Sequence, residues 1–414
     1  MQLSYKTEIH LFRLGLILLT SAKDSRHMNK IKNLKITQEF KDYSKSIELS
    51  TLFINWHPYD KIIKAEAKKY KYVVFFGCGA IFSSIVETWN ARVAEKINYC
   101  CDNNSEKWGK KYFGVECITY EKLLEIKNDT VIFITVGNFN PVYEQLISAN
   151  FPAIHILYKY DLEAAQLIKS SDIKLLAKEA EFARSLLGDN KSKFIFDTII
   201  KRSSGSDSNI MLMPSIFEGD QYFPKDLIKL SSNECYVDVG AYDGDTIRQF
   251  LKNCNNKFEK IYAFELDEDN FNKLESNFNL SDYKNSIKSY NLGAWSKRQS
   301  VSYSSGLTQS TIGGLGKTAM VAPLDEIIDN KKITFIKMDI EGAEIHALNG
   351  ARKIITSQKP VLAICVYHKI SHLWEIPLLI HEMLPDHNIF LRHHTPLEYE
   401  TVCYALPKND FHNK

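Results

Sequence analysis

Residues 235–250 read CYVDVGAYDGDTIRQF. An apolar run stops at Gly240, acids flank two glycines, and a helical period follows Gly244. A strand therefore hands over to a helix through a tight turn. In an open α/β sheet, ligands bind beyond the carboxyl ends of the strands. Gly240 lets the backbone turn and lets a ligand come close. A phosphate-binding loop keeps acids out and offers bare N–H groups. Here Asp238, Asp243 and Asp245 stand beside the glycines. Carboxylates at that place suit a ligand with positive charge, and S-adenosylmethionine has both a sulfonium and an α-amino group.

Three further stretches belong with the first. KIYAFELD (260–267) ends a second apolar run in Glu265, 25 residues after Gly240. An acid at about that spacing reaches ribose hydroxyls. A glycine loop plus an acid fits a nicotinamide cofactor equally well. ITFIKMDIEGAEIHALNGA (333–351) delivers Asp339 to the same sheet edge, with Glu341 and Glu344 at the start of a helix. PVLAICVYHK (360–369) ends in Tyr367 and His368. Asp339 and His368 at neighbouring strand ends form an acid/base pair for removing a proton. Asp339 is the first candidate for the base and His368 the second. A third arrangement puts magnesium or manganese on Asp339, Glu341 and His368. Acids in a first helical turn also suit the helix dipole, which is the ordinary explanation of Glu344.

VDVGAYDGDT, AFELD, IKMDIEGAE…ALNGA, PVLAICVYHK and FLRHH…ETVCYALP together resemble the FkbM-type S-adenosylmethionine-dependent methyltransferases, over about residues 215–407. The resemblance implies O-methylation, often of a sugar hydroxyl in a bacterial glycan or natural-product precursor. It implies a cofactor loop of Asp238, Gly240, Ala241, Gly244 and Thr246, with Glu265 and Leu266 on the ribose. NLGAW would line the adenine side through Asn291, Ala294 and Trp295. Asp339, Glu341, Glu344 and His368 would face the reacting groups. His372 stands where relatives of this type lead one to expect an acid. DQYFP (220–224) resembles a segment that precedes this domain in related chains and would cover the acceptor.

The first half repeats the alternation of strands and helices. VVFFGCGAIFSS (73–84) offers Gly77 and Gly79, with Ser83 at the third glycine position, and Asp102 follows Gly79 by 23 residues. This partial dinucleotide fingerprint is weak alone. DNNSEKWGKKYFGVECITYEKL (102–123) resembles the Rossmann-like domain preceding some bacterial sugar-modifying enzymes. That resemblance implies a nucleotide-sugar held by Gly77, Gly79, Asp102 and Asn103; a fold kept for packing or dimerisation is the plain alternative. Residues 161–202 read as helix, with Leu167, Ile168, Leu175, Leu176, Phe182, Leu186 and Leu187 at helical spacing.

The fold expected is thus α/β, two doubly wound Rossmann-like domains in series joined by a helical connector. The second has a class I methyltransferase fold with an antiparallel edge pair. The boundaries are 1–70 for a helical or irregular extension, 71–160, 161–230 for the connector, and 231–414. A net charge of +2 without a long basic run gives no field to attract nucleic acid. LFRLGLILL (11–19) is about half the length of a membrane span and contains Arg13. The eight cysteines form no CxxC pair, so reduced core thiols in a cytoplasm are the simpler reading. Two readings compete with methyl transfer: a nicotinamide-dependent sugar-nucleotide oxidoreductase, and a non-catalytic cofactor-binding scaffold in glycan assembly. A homodimer remains open.

Overall fold

The computed structural model describes residues 60–88, 96–136, 139–157, 173–203, 217–278, 283, 285–305, 310–312, 316–329, 331–395 and 399–408. The apolar stretch at 11–19, Leu167, Ile168 and the Ser-rich segment after Ser203 lie outside the described residues.

Residues 72–156 build one six-stranded sheet. Its strands are β1 (Tyr72–Phe76), β2 (Tyr99–Cys101), β3 (Lys111–Tyr112), β4 (Val115–Ile118), β5 (Thr130–Ile134) and β6 (Ala153–Ile156). The order is β3-β4-β2-β1-β5-β6, parallel except for the short β3 at one edge. The strand order reverses at β1, where the chain leaves to opposite sides. Strands buried on both faces need continuous apolar runs, and Val73–Phe76 and Val131–Ile134 supply them.

Residues 235–407 build a seven-stranded sheet of order β16-β17-β15-β14-β7-β8-β9. These are β7 (Cys235–Val239), β8 (Lys260–Glu265), β9 (Ile287–Asn291), β14 (Phe335–Met338), β15 (Val361–Cys365), β16 (His387–His393) and β17 (Thr401–Pro407). β17 runs antiparallel between β15 and β16, which are the expected final pair plus its neighbour. VSYSS belongs elsewhere: it lies in β11 (Gln299–Ser305), part of a small sheet with β10 (Gly293–Ala294), β12 (Ser310–Ile312) and β13 (Lys317–Ala322). That sheet was not legible as a unit, because its strands are short and polar.

Two helices from the expected connector, α1 (Ile173–Ser185) and α2 (Asn190–Ser203), share one core with this seven-stranded sheet. Asp189 caps α2 by accepting the Ser192 N–H at 2.7 Å. The apolar stripe differs from the one expected. Leu175 and Phe182 are exposed, whereas Leu176, Ala177, Ala180, Ala183 and Leu187 are buried. Small alanines let α1 come close to its neighbour, and a search for large apolar residues passes over them.

The helices α3 (Asp245–Asn253), α4 (Glu268–Phe278), α5 (Glu344–Gly350), α6 (Arg352–Gln358) and α7 (His372–Met383) cover the sheet. α5 lies so close to the β10 segment that a Cβ on Gly350 would sit 2.0 Å from the Trp295 carbonyl oxygen. Backbone on both sides cannot yield cheaply. Gly350→Ala should therefore cost about 1–3 kcal/mol, as overpacking does. A thermal melt checks this, and an unchanged midpoint would mean that α5 is free to shift.

Candidate active site

A cleft opens at the carboxyl ends of β7, β8 and β14. Val239, Gly240 and Tyr242 form one wall, Glu265, Leu266 and Asn270 the next, Leu292–Ala294 a third, and Asp339–Glu341 with Ala343 the last. Gly240 has φ +79°, and a Cβ there would meet the Asp339 carbonyl oxygen at 2.0 Å. Only glycine lets the first loop pack directly on the Asp339 backbone. The Gly240 and Ala241 N–H groups both donate to the Phe264 carbonyl, at 2.9 and 3.0 Å.

Glu265 faces the cleft and is nearly buried. One carboxylate oxygen accepts the Tyr242 N–H at 2.8 Å, the other the Asp267 N–H at 2.9 Å. Each oxygen keeps a lone pair for a ribose hydroxyl. Burial raises its pKa.

The three acids of the first loop do not face the cleft, which corrects the electrostatic argument drawn from them. Asp238 is fully buried behind the strand and lies 3.0 Å from Lys337 Nζ. Burial pushes its carboxyl up to about 6 against the pull of Lys337. Asp243 pairs with Arg248 at 2.9 Å on the surface, and Asp245 accepts the Thr246 N–H at 2.7 Å. Their side chains serve the strand and the helix start. Ala241 and Thr246 are buried behind the loop, and Gly244 turns it with φ +86°. Of the NLGAW stretch, Leu292, Gly293 and Ala294 line the cleft. Asn291 instead donates to the Glu265 and Leu266 carbonyls, both at 3.1 Å, and Trp295 stacks on His346 at 3.9 Å. Asn270 lines the cleft without a sequence signal, and Tyr242 and Gly293 line it from within stretches whose other residues were singled out.

The acids that do face the cleft are Glu265, Asp339 and Glu341. Asp339 is held from two sides. Tyr222, from the DQYFP segment, donates to Oδ2 at 2.7 Å, and Tyr367, past the end of β15, donates to Oδ1 at 2.9 Å. His368 Nε2 lies 3.3 Å from Asp339 Oδ1 and 3.5 Å from Glu341 Oε2. Its Nδ1 lies 2.8 Å from Glu344 Oε1. His372 Nδ1 approaches Glu344 Oε2 at 3.3 Å, which gives that departure from the family pattern a place in the cluster.

Glu344 is fully buried and accepts the Ile340 N–H at 3.0 Å, so it fixes the loop that carries Glu341. Burial alone would raise its pKa, but His368 and His372 outweigh burial and hold it far below the usual range. Burial likewise works against a charged His368. Glu344, Asp339 and Glu341 overcome that, and its pKa rises to about 9. His368 is thus an imidazolium among three carboxylates at neutral pH. Asp339, Glu344 and His368 each bring one ligand atom within 4.8 Å of the others. The oxygen-rich donor set suits magnesium or manganese, and the imidazolium already fills the same role as a counter-charge.

Glu400, from the loop before β17, accepts a hydrogen bond from Gln221, the neighbour of Tyr222. Burial, then the Asp339 charge, raises it to about 7. Gln221 lies in the DQYFP stretch and Glu400 opens ETVCYALP, but neither was singled out individually from the sequence. Tyr222, Tyr242, Glu341 and Glu400 all have positive φ, between 47° and 70°. Strained non-glycine residues gather at functional sites because the surrounding fold must hold them there.

Of the residues proposed for a nucleotide in the first sheet, Asp102 and Asn103 are engaged with neighbouring groups. Asp102 pairs with Lys107 at 2.7 Å and accepts the Cys78 and Asn104 N–H groups, both at 2.9 Å. Asn103 bonds to Gln145 at 3.0 Å. A Cβ on Gly77 would run into Val136 at 2.4 Å, so packing explains that glycine. Nothing lies within 4 Å of a Cβ on Gly79.

Comparison with known proteins adds to this geometry. The Methyltransferase FkbM domain family matches residues 238–395. A methyltransferase FkbM from Methylobacillus flagellatus KT is 21% identical, covering 90% of this chain and 100% of its own, with a TM-score of 0.65. Aeropyrum pernix fibrillarin in complex with S-adenosyl-L-methionine is 13% identical over 44% of this chain and 71% of its own, with a TM-score of 0.30. Precorrin-6y C5,15-methyltransferase from Geobacter metallireducens GS-15 is 9% identical over 45% and 94%, with a TM-score of 0.30. No curated protein matches the chain. The glycine turn and the Asp339 edge both lie within residues 238–395, the segment that matches the Methyltransferase FkbM domain family.

Proposed function

We propose that this chain transfers the methyl group of S-adenosylmethionine to a hydroxyl oxygen, in a sugar or glycan precursor. One observation carries the reading: a single cleft is lined by both the buried acid Glu265 and the tyrosine-held Asp339. A cofactor spanning that cleft presents its sulfonium to Asp339 and Glu341. The methyl donor is already activated, so alignment and proton removal are the main tasks left.

Asp339 is the base. It lines the cleft, and the Tyr222 and Tyr367 hydroxyls fix its orientation. As the carbon–oxygen bond forms, the acceptor hydroxyl's proton passes to the carboxylate and the sulfonium leaves as a neutral thioether. His368 does not line the cleft; it acts as the buried cation that balances Asp339, Glu341 and Glu344. The acidic surroundings suit a neutral, hydroxyl-rich acceptor and oppose a phosphate or carboxylate. The first sheet is read as a packing unit, because its candidate contacts are satisfied internally. No observation supports the nicotinamide reading.

Transfer of tritium from methyl-labelled S-adenosylmethionine to a panel of neutral mono- and oligosaccharides, with UDP- and GDP-sugars as the disfavoured anionic acceptors, tests the reaction. Asp339→Asn should lower kcat about 10²- to 10⁴-fold and leave S-adenosylhomocysteine affinity within a few fold. Equal loss of both would make Asp339 a binding residue. A wild type that binds cofactor but methylates nothing hydroxylated would favour the scaffold. Activity that disappears on chelation and returns with magnesium would replace the imidazolium by an ion. Glu265→Gln keeps the shape and should weaken S-adenosylhomocysteine binding about tenfold, the worth of a charged hydrogen bond, as calorimetry would read.

His368 also ties stability to pH. Its folded pKa of about 9 lies above the ordinary value of 6.5. Its contribution is therefore full below about pH 6.5 and is lost as pH rises through about 9, on the order of 3 kcal/mol in all. Melting curves from pH 6 to 10 should show that loss in wild type and much less of it in His368→Gln. Parallel curves would show that His368 is uncharged in the folded protein.

A further inference from the structure

Lys337 has no part in the reaction just described, yet it is almost fully buried at the centre of the seven-stranded sheet. Its ammonium has three donors and makes three contacts. It donates to the Gly240 carbonyl at 2.7 Å, lies 3.0 Å from Asp238 Oδ1, and stands 5.1 Å from the centre of the Tyr222 ring. The first contact fixes the glycine turn that forms the cofactor wall. The third supports the tyrosine whose hydroxyl holds Asp339.

The strand register brings this about. Lys337 pairs with Asp238 across β14 and β7, and the same row continues through Ala263 on β8 and Ala363 on β15. Two alanines flank the charged pair and leave it room. Beyond Ala363 the row reaches Tyr404, whose hydroxyl accepts the Tyr222 N–H at 3.1 Å. Tyr222 is therefore held at its backbone by Tyr404 and at its ring by Lys337.

We propose that Lys337 is a positioning residue that ties the cofactor turn at Gly240 to the acceptor-side clamp of Tyr222 on Asp339. The inference rests on the cleft being the S-adenosylmethionine site. A buried ion pair is weak evidence for stability, since an apolar pair of similar volume often does as well. Its use here is geometric: one charge sets the height of the turn and the placement of the base from a single point.

Lys337→Met alone would strand the Asp238 carboxylate in the core, so the test is made in the Asp238→Asn background. Asp238→Asn should keep S-adenosylhomocysteine affinity within threefold of wild type, because Lys337 still holds the Gly240 carbonyl. D238N/K337M should bind at least tenfold more weakly by calorimetry, with a melting midpoint close to that of D238N. Tyr222→Leu, which keeps the ion pair and removes the ring, provides a second reading and should bind at least threefold more weakly. If D238N/K337M does not fold, Tyr222→Leu decides. Affinity in D238N/K337M equal to that of D238N, or Tyr222→Leu binding like wild type, overturns the proposal. Absence of S-adenosylhomocysteine binding by the wild type would instead overturn the cofactor assignment.

Discussion

The buried Lys337 ammonium, set between Asp238 and the Gly240 carbonyl, organises the carboxyl edge of the seven-stranded sheet. Removing two charges from water is costly, and their attraction offsets the cost only when the geometry is good and the remaining hydrogen bonds are met. On the lysine side one is met by the Gly240 carbonyl. A slip of β14 against β7 by one residue would send both side chains to opposite faces of the sheet. The pair thus penalises wrong register more strongly than an apolar pair could. With the register set, Gly240 and Asp339 arrive side by side at the sheet edge, the turn packed on the Asp339 carbonyl. The cleft is the consequence.

A second layer of order concerns where negative charge is placed. Asp238 and Asp243 are paired with cations and Asp245 accepts the adjacent backbone N–H, all close to the loop that bears them. Glu265, Asp339 and Glu341 keep their carboxylates toward the cleft. The His368 imidazolium between Asp339, Glu341 and Glu344 keeps the cluster from repelling itself apart. Enough negative charge remains to favour a sulfonium over a pyrophosphate. Positive φ at Tyr222, Tyr242, Glu341 and Glu400 surrounds the same space. The fold therefore holds strain where the ligand and acceptor would be positioned.

Much of this was readable from residues. The strands of the large sheet end in Gly240, Glu265, Asp339 and His368, and a parallel sheet must bring such ends to one edge. Hydrophobic runs and end residues are local, so the sequence displays them directly. Which face a residue takes at the end of a strand is not local. Asp238 and Gly240 are two apart, yet one looks into the core and the other into the cleft, because Lys337 waits on the neighbouring strand 99 residues away. Gln221, Tyr222 and Glu400 reach the site from loops separated by 178 or more residues, and nothing in DQYFP or LEYE spells out that meeting. The alanine face of α1 escaped notice for a different reason: close helix approach is achieved by small side chains, which apolar periodicity underweights.

The central claim is that the Gly240–Glu265 cleft holds the methyl donor with its sulfur toward Asp339. A crystal structure with S-adenosylhomocysteine bound tests it most directly. The account predicts the ribose hydroxyls on Glu265, the adenine against Leu266 and Leu292–Ala294, and the sulfur on the Asp339 side of the cleft. Density for the nucleoside at the first sheet, or in this cleft with the sulfur turned away from Asp339, would contradict it.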